Sequence, residues 1–356
     1  RAITCILLFL TQISFAQILS EKERALLKDE ILEDRFQNLL PSLMDAAAID
    51  MWLLISREYN EDPVLKTMLP ATWLNARRRT ILVFYRNKKA NTIERLAVAR
   101  YDIGKSIKSS WDKKKEPNQW KALMEIISAR NPDKIGINFS KHFALADGLV
   151  KTDYDELLEN LPIADQNKLV SAEKLAIGWL ETRSKIELKL YKKLVKITHD
   201  IIDEAFSEKV IQTGKTTTED LVWFMRQKVT DLGLETWFHP TVDIQRNKEV
   251  LKSHIESFSK GKEEKTIQKG DLLHCDFGIT YIGLNTDCQQ HAYVLKENES
   301  EVPVFLKAAF KKGNRVQDIL TSNMSVGKTG NEILKKSLIE GREEGLRPSI
   351  YTHPLG

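Results

Sequence analysis

Two carboxylates stand where a strand would bury them. Asp276 lies in Gly270-Asp271-Leu272-Leu273-His274-Cys275-Asp276-Phe277-Gly278, and Asp287 closes Leu284-Asn285-Thr286-Asp287. An uncompensated charge inside a run of this kind costs several kcal/mol, so whatever fold the chain adopts must compensate both. If the chain turns through Thr280–Gly283 as a hairpin, Asp276 falls opposite Asp287. Directly opposed residues share a face, with Cβ atoms roughly 5 Å apart. Carboxylates that close repel, unless a cation lies between them or one is protonated. The same register sets Cys275 opposite Cys288 on the other face, where either a disulfide or two free buried thiols would fit.

The chain has 356 residues, room for about two domains of roughly 100–200 residues each. At 42% hydrophobic and 29% charged its composition is that of a folded globular protein rather than a disordered one. A net charge of +4 is too small to argue for a nucleic-acid partner. Residues 1–16, RAITCILLFLTQISFA, place an Arg before a short apolar run and small residues two apart before Gln17. That pattern predicts a signal peptide and an exported protein, periplasmic or secreted, with no membrane contact after cleavage. The other reading of this stretch is a buried or interfacial N-terminal segment. Cys5 would leave with the signal. The chain has no initiating Met and stops at His353-Pro354-Leu355-Gly356, which reads as a fragment.

Between residues 17 and 165 short apolar runs alternate with helical patterns. Trp52–Ile55, Ile81–Tyr85, Leu96–Ala99 and Ile135–Phe139 read as strands, Trp120–Ala129 as a helix, and a first helix leads to Pro41. This is an α/β layout. A second domain is expected over 166–356. It opens on helices, one with Ile186, Leu190, Leu194, Ile197 and Ile201 as a single apolar stripe, the next started by Thr216-Thr217-Thr218 with Glu219 and Asp220 in its first turn. Strand-like runs return at Asp271–Phe277 and Leu284–Leu295. No GxSxG, HExxH, CxxC or GxGxxG motif is present.

Asp276-Phe277-Gly278, then Asn285-Thr286-Asp287 eleven residues on from the first Asp, then Tyr351-Thr352-His353-Pro354-Leu355-Gly356 resemble the metal-binding core of the pita-bread metallopeptidases. These are the aminopeptidase P, prolidase and methionine aminopeptidase group, with creatinase as a metal-free relative. The likeness runs from about Trp179 to the C-terminus and includes a helix of the type Glu181–Glu208 and the Gly214-Lys215-Thr216 turn. Arg57-Glu58-Tyr59-Asn60-Glu61-Asp62-Pro63 is similar to the N-terminal domain of the aminopeptidase P and creatinase branch. The resemblance implies an α+β chain, a creatinase-like α/β domain followed by a pita-bread catalytic domain that is incomplete at its C-terminus.

It further implies that Asp276 and Asp287 are carboxylate ligands, Asp287 bridging two divalent ions, and that His353 binds one ion through an imidazole nitrogen. The family completes its site with two Glu residues downstream of this His. Mn, Co, Fe or Zn would suit such a donor set, with Mn favoured. The implied activity is that of a metallopeptidase of the Xaa-Pro aminopeptidase type, acting on a peptide with a water activated by the metal pair, with a homodimer open as its assembly. Holding three of the five ligands, these 356 residues are expected to bind metal poorly and to lack peptidase activity.

His254, twenty-two residues before Asp276, is the best match to a pocket histidine of the family that steadies the intermediate; His239 is the second candidate. Surface exposure is the other reading of His254, and a core or pocket-wall position that of His239. His274 reads as structural, on the face opposite Asp276, and His291 carries no assignment. The family often has an Arg three residues after the second Asp, where this chain has Gln290, an amide that cannot neutralise charge. That departure favours one alternative, a non-catalytic pita-bread peptide-binding protein; a metal-free creatinase-like hydrolase is a further alternative, against which the retention of both Asp residues and His353 speaks.

Overall fold

The computed structural model describes residues 18–246 and 265–351. The expected signal peptide, His254 and His353 lie outside these residues. The chain divides into two compact units, Arg1–Lys193 with Tyr281–Leu284 and Gly356, and Leu194–Thr280 with Asn285–Leu355.

The first unit opens with α1 (Glu21–Asp34), a π-helical turn over Arg35–Leu39, and α2 (Leu40–Ala47). Ser20 and Glu23 cap α1 reciprocally, each side chain accepting the other's backbone N–H. The helical path runs on through Pro41 instead of stopping there, because Pro41 falls in the first turn of α2, where its missing N–H is tolerated. Next come β1 (Met51–Arg57), α3 (Pro63–Thr67), β2 (Arg79–Asn87), β3 (Thr92–Val98), β4 (Lys108–Ser109), α4 (Gln119–Arg130) and β5 (Ile135–Ile137). The unit continues with α5 (Lys151–Asn160), α6 (Ile163–Gln166), β6 (Leu169–Ser171) and α7 (Glu173–Glu181).

The six strands form one mixed sheet in the order β4-β3-β2-β1-β5-β6. Alternation along its central strands divides the core. Trp52, Leu54, Leu82 and Phe84 pack with Phe36, Leu40, Met44 and Trp179 on one face. Met51, Leu53, Ile55, Ile81 and Val83 pack with Trp120, Leu123, Ile127 and Leu157 on the other. A sheet covered by helices on both faces reads as continuous apolar runs, which is why β1 and β2 were visible in the sequence. The expected boundary after residue 165 falls short: β6 pairs in parallel with β5, and Ala172, Leu175, Ala176 and Trp179 belong to the first core. The first unit therefore runs on to Lys193.

Asp62 is a buried charge within this unit, 1% exposed. Its Oδ1 accepts from the N–H groups of Val64 (2.8 Å) and Leu65 (3.0 Å) at the start of α3, and its Oδ2 from Asn138 Nδ2 (2.9 Å). Burial pushes its carboxyl above the ordinary Asp value, against the pull of these donors. The folded state therefore holds the Asp62 proton more tightly than the unfolded chain. Its contribution is fully present below the unfolded pKa and is lost as pH rises through the folded one. Asp62→Asn is thus expected to flatten the fall in stability on going up from about pH 4, read as urea midpoints of both proteins across that range. Parallel pH profiles for the two would contradict it.

The second unit contains most of α8 (Lys185–Ala205), then α9 (Thr218–Asp231), β7 (Glu235–Thr236), β8 (Thr241–Gln245), β9 (Leu272–Phe277) and β10 (Ile279–Tyr281). It ends with β11 (Leu284–Asn285), β12 (Cys288–Tyr293), α10 (Val304–Asn323) and α11 (Gly330–Glu343). The α8 stripe is buried as its spacing predicts at Leu190, Leu194, Ile197 and Ile201. Thr217 caps α9 in a box with Asp220. Two small sheets follow, β11-β10-β7 and β12-β9-β8. The single strand expected over Leu284–Leu295 is broken into β11 and β12, with Thr286 and Asp287 between them.

Candidate functional site

β9 is the centre of its sheet, antiparallel to β8 on one side and β12 on the other. Its burial alternates strictly, Leu273, Cys275 and Phe277 buried and Leu272, His274 and Asp276 half-buried. One face is therefore apolar and turned inward, with Val242 and Cys288 also buried. At its edge the Thr286 hydroxyl meets Thr198 of α8 at 2.8 Å.

The other face carries the polar groups, in rungs set by the pairing. Asp276 lies between Thr241 and Gln289, and His274 between Asp243 and His291. This register is shifted by two residues from the expected one. The reason is the turn: Ile282 and Gly283 both have positive φ (53° and 77°), the signature of a two-residue hairpin turn rather than a four-residue one. Thr286 N donates to Ile279 O at 2.9 Å, and continuing the register puts Asp287 opposite Gly278. Because the shift is even, Asp287 stays on the Asp276 face. The two are diagonal neighbours, a relation that spaces residues about 7–8 Å apart rather than the roughly 5 Å of direct partners.

Gly278 is required at this point. A Cβ there would stand 2.1 Å from the Thr286 carbonyl oxygen and 2.7 Å from Phe238 Cε1, so only the bare backbone lets the Asp287 segment lie so close.

Four further expectations change. Cys275 lies opposite Gln290 and Cys288 opposite Phe277, and both cysteines are free and buried. Burial pushes each thiol up to about 11, with the charges of Asp287 and Asp276 adding to the shift at Cys288. Both are thus protonated at neutral pH, poor nucleophiles and poor metal ligands. His274 is on the same face as Asp276, since residues two apart in a strand point the same way. Gln290 is on the opposite face, paired with Cys275, so the amide beside the carboxylates is Gln289. His239 is exposed rather than part of a core. Its ring stands edge-on to Trp223 at 5.8 Å, with its Nδ1 3.5 Å from Arg226.

The polar face is internally ordered. His274 Nε2 is 3.0 Å from Gln289 Oε1, and Gln289 Nε2 donates to Asp276 Oδ2 at 3.4 Å. His274 Nδ1 is 3.9 Å from Asp243. The Asp243 contact holds His274 more basic than free imidazole. Burial, with the nearby His274 adding to it, makes His291 less basic. Their rings are 4.8 Å apart, and the opposite directions favour protonation of His274 over His291.

Among the described residues no three His, Cys, Asp or Glu side chains come together in a way that could hold a metal ion. What this face offers is a pair of carboxylates, hard oxygen donors of the kind divalent cations take. As part of a donor set they fit such an ion.

A mixed α+β chain with two carboxylates close together on its second unit is what the comparisons with known proteins have to explain. Residues 189–356 match metallopeptidase family M24, and the mixed α+β fold is similar to that of pita-bread members of that family, the first α/β unit being consistent with a creatinase-like arrangement. Its fold is similar to the X-Pro aminopeptidase of Thermotoga maritima MSB8, at 15% identity over 85% of this chain and 78% of that one, with a TM-score of 0.59. It is also similar to an Xaa-Pro dipeptidase from Bacillus anthracis (18% identity, 90% and 78% covered, TM-score 0.50). A third likeness is to Zn-substituted aminopeptidase P of E. coli in complex with product (12%, 92% and 74%, 0.52). No curated protein sequence matches the chain.

Proposed function

We propose that this protein is a metal-dependent peptidase of the Xaa-Pro type, exported from the cell, that removes N-terminal residues ahead of proline or splits a small peptide. The observation that carries the reading is the pair Asp276 and Asp287, half-buried on one face of a sheet in the domain matched to family M24. Both would hold divalent cations, with His353 as the nitrogen donor and Asp287 shared between two ions. Two bound cations supply a water acidic enough to attack at neutral pH and an electrophile for the scissile carbonyl.

The chain's own residues account for the rest. The buried face beneath β9 keeps the strand rigid, so that the carboxylates are aimed before anything binds. Gly278 lets the Asp287 segment close on β9. His254, or failing it the exposed His239, would donate a hydrogen bond to the oxyanion of the reacting peptide. Gln290, the residue that departs from the family pattern, pairs with Cys275 on the face away from the carboxylates, which favours catalysis over a binding protein.

The test is an assay of Xaa-Pro peptide cleavage by protein made from its complete reading frame, with Mn²⁺ and with chelator. Cleavage that depends on Mn²⁺ is expected, while the polypeptide of residues 1–356 alone should show none. Full activity in chelator, or silence in every metal, would overturn the proposal.

A further inference from the structure

The Asp276 rung contains a group that the peptidase reading does not use. Gln289 bridges Asp276 and His274, accepting at Oε1 (3.0 Å) and donating from Nε2 (3.4 Å). The polarity of this amide is dictated at both ends. A carboxylate oxygen can only accept, so the Gln289 NH₂ must point at Asp276, which leaves Oε1 to receive the His274 Nε2–H.

His274 is in turn held on three sides. Asp243 stands 3.9 Å from its Nδ1, an interaction that favours a proton there. The His291 ring packs against it at 4.8 Å and is itself met edge-on by Phe310 at 6.3 Å. The three strands supply one member each, Asp243 from β8, His274 from β9 and Gln289 from β12. A single rotamer change in any of them would break the line.

We propose that Gln289, clamped by His274, is a positioning residue that fixes the rotation of the Asp276 carboxylate and so presets the geometry in which it binds a cation. The proposal rests on the reading of Asp276 as a metal ligand. Partners of ligating carboxylates set ligand orientation, and their loss typically costs about 10- to 100-fold in metal affinity.

The experiment is calorimetric titration of the protein from its complete reading frame with Mn²⁺ at fixed pH, with circular dichroism and the metal-free melting temperature of every variant. Gln289→Leu is expected to raise Kd about 10- to 100-fold, and His274→Leu to do the same through release of Gln289. His274→Gln, which keeps a donor, should bind within about threefold of the parent, a rescue that a purely structural role would not produce. Should Gln289→Leu fail to fold, Gln289→Asn decides: it keeps the amide but is one methylene too short to span the rung. Binding by a folded Gln289 variant within about twofold of the parent overturns the proposal. If Asp276→Asn also binds normally, or the parent takes no divalent ion, the metallopeptidase reading falls and this one with it. If Asp276→Asn abolishes binding while the Gln289 variants do not, only this inference fails.

Discussion

Asp276→Asn is expected to lower the turnover of the proposed Xaa-Pro peptidase activity by about 10³-fold, or about 4 kcal/mol of barrier, and to weaken the proposed Mn²⁺ binding in parallel. Asn keeps the volume and can still pair with Gln289, whose Nε2 sits 3.4 Å from Asp276 Oδ2, so the fold should persist. What is lost is the charge. A neutral amide is a poor ligand for a hard divalent ion, and a cation drawn by one carboxylate instead of two is held more weakly. The change also relieves repulsion between Asp276 and Asp287, which share a face, so the metal-free variant should melt no lower than the parent. Turnover above about a tenth of the parent's would show that Asp276 is not part of the catalytic machinery.

The second large effect is on stability. Arg35 and Glu187 form a buried pair, their side chains 8% and 7% exposed. Arg35 Nη1 donates to both Glu187 oxygens (3.0 and 2.8 Å) and to the Thr182 carbonyl (2.8 Å), Nη2 donates to the Trp179 carbonyl, and the guanidinium lies 4.4 Å from the Trp179 ring centre. Glu187 also receives the Ser184 N–H at 2.6 Å. One ion pair thus ties the π-helical turn to the α7–α8 junction. Glu187→Ala would leave a guanidinium buried without its counter-charge, at a cost of about 3–5 kcal/mol in urea unfolding of the first unit. Replacing both partners by apolar residues, Arg35→Met with Glu187→Leu, should recover most of that loss, because the desolvation penalty of both charges disappears together. A Glu187→Ala loss below about 1 kcal/mol would contradict this account.

Local pattern made much of this molecule legible. The α/β character of the first unit showed in apolar runs because β1 and β2 are covered on both faces. The stripe of α8 and the Thr217 cap of α9 are properties of a few neighbouring residues. Asp276 and Asp287 stood out because a charge inside an apolar strand needs an explanation wherever the strand goes. The period of two also places His274 on the Asp276 face, without any knowledge of the fold, which corrects the expectation of opposite faces.

What no local pattern contained was the register. Two φ angles at Ile282 and Gly283 choose between a two- and a four-residue turn, and that choice slides β12 along β9 by two positions. It parts Cys275 from Cys288, moves Gln290 from Leu273 to Cys275 on the same apolar face, and brings Gln289 to Asp276. The end of the first unit was hidden for a related reason, since β6 is three residues long and is a strand only because β5 offers it an edge. Near neighbours along the chain fix the long apolar strands and the striped or capped helices and mark the charges that demand a partner, because those depend on local pattern. Which side chains meet across strands was decided only in the tertiary structure, because pairing energy is shared among distant segments and a slide of two residues preserves every face.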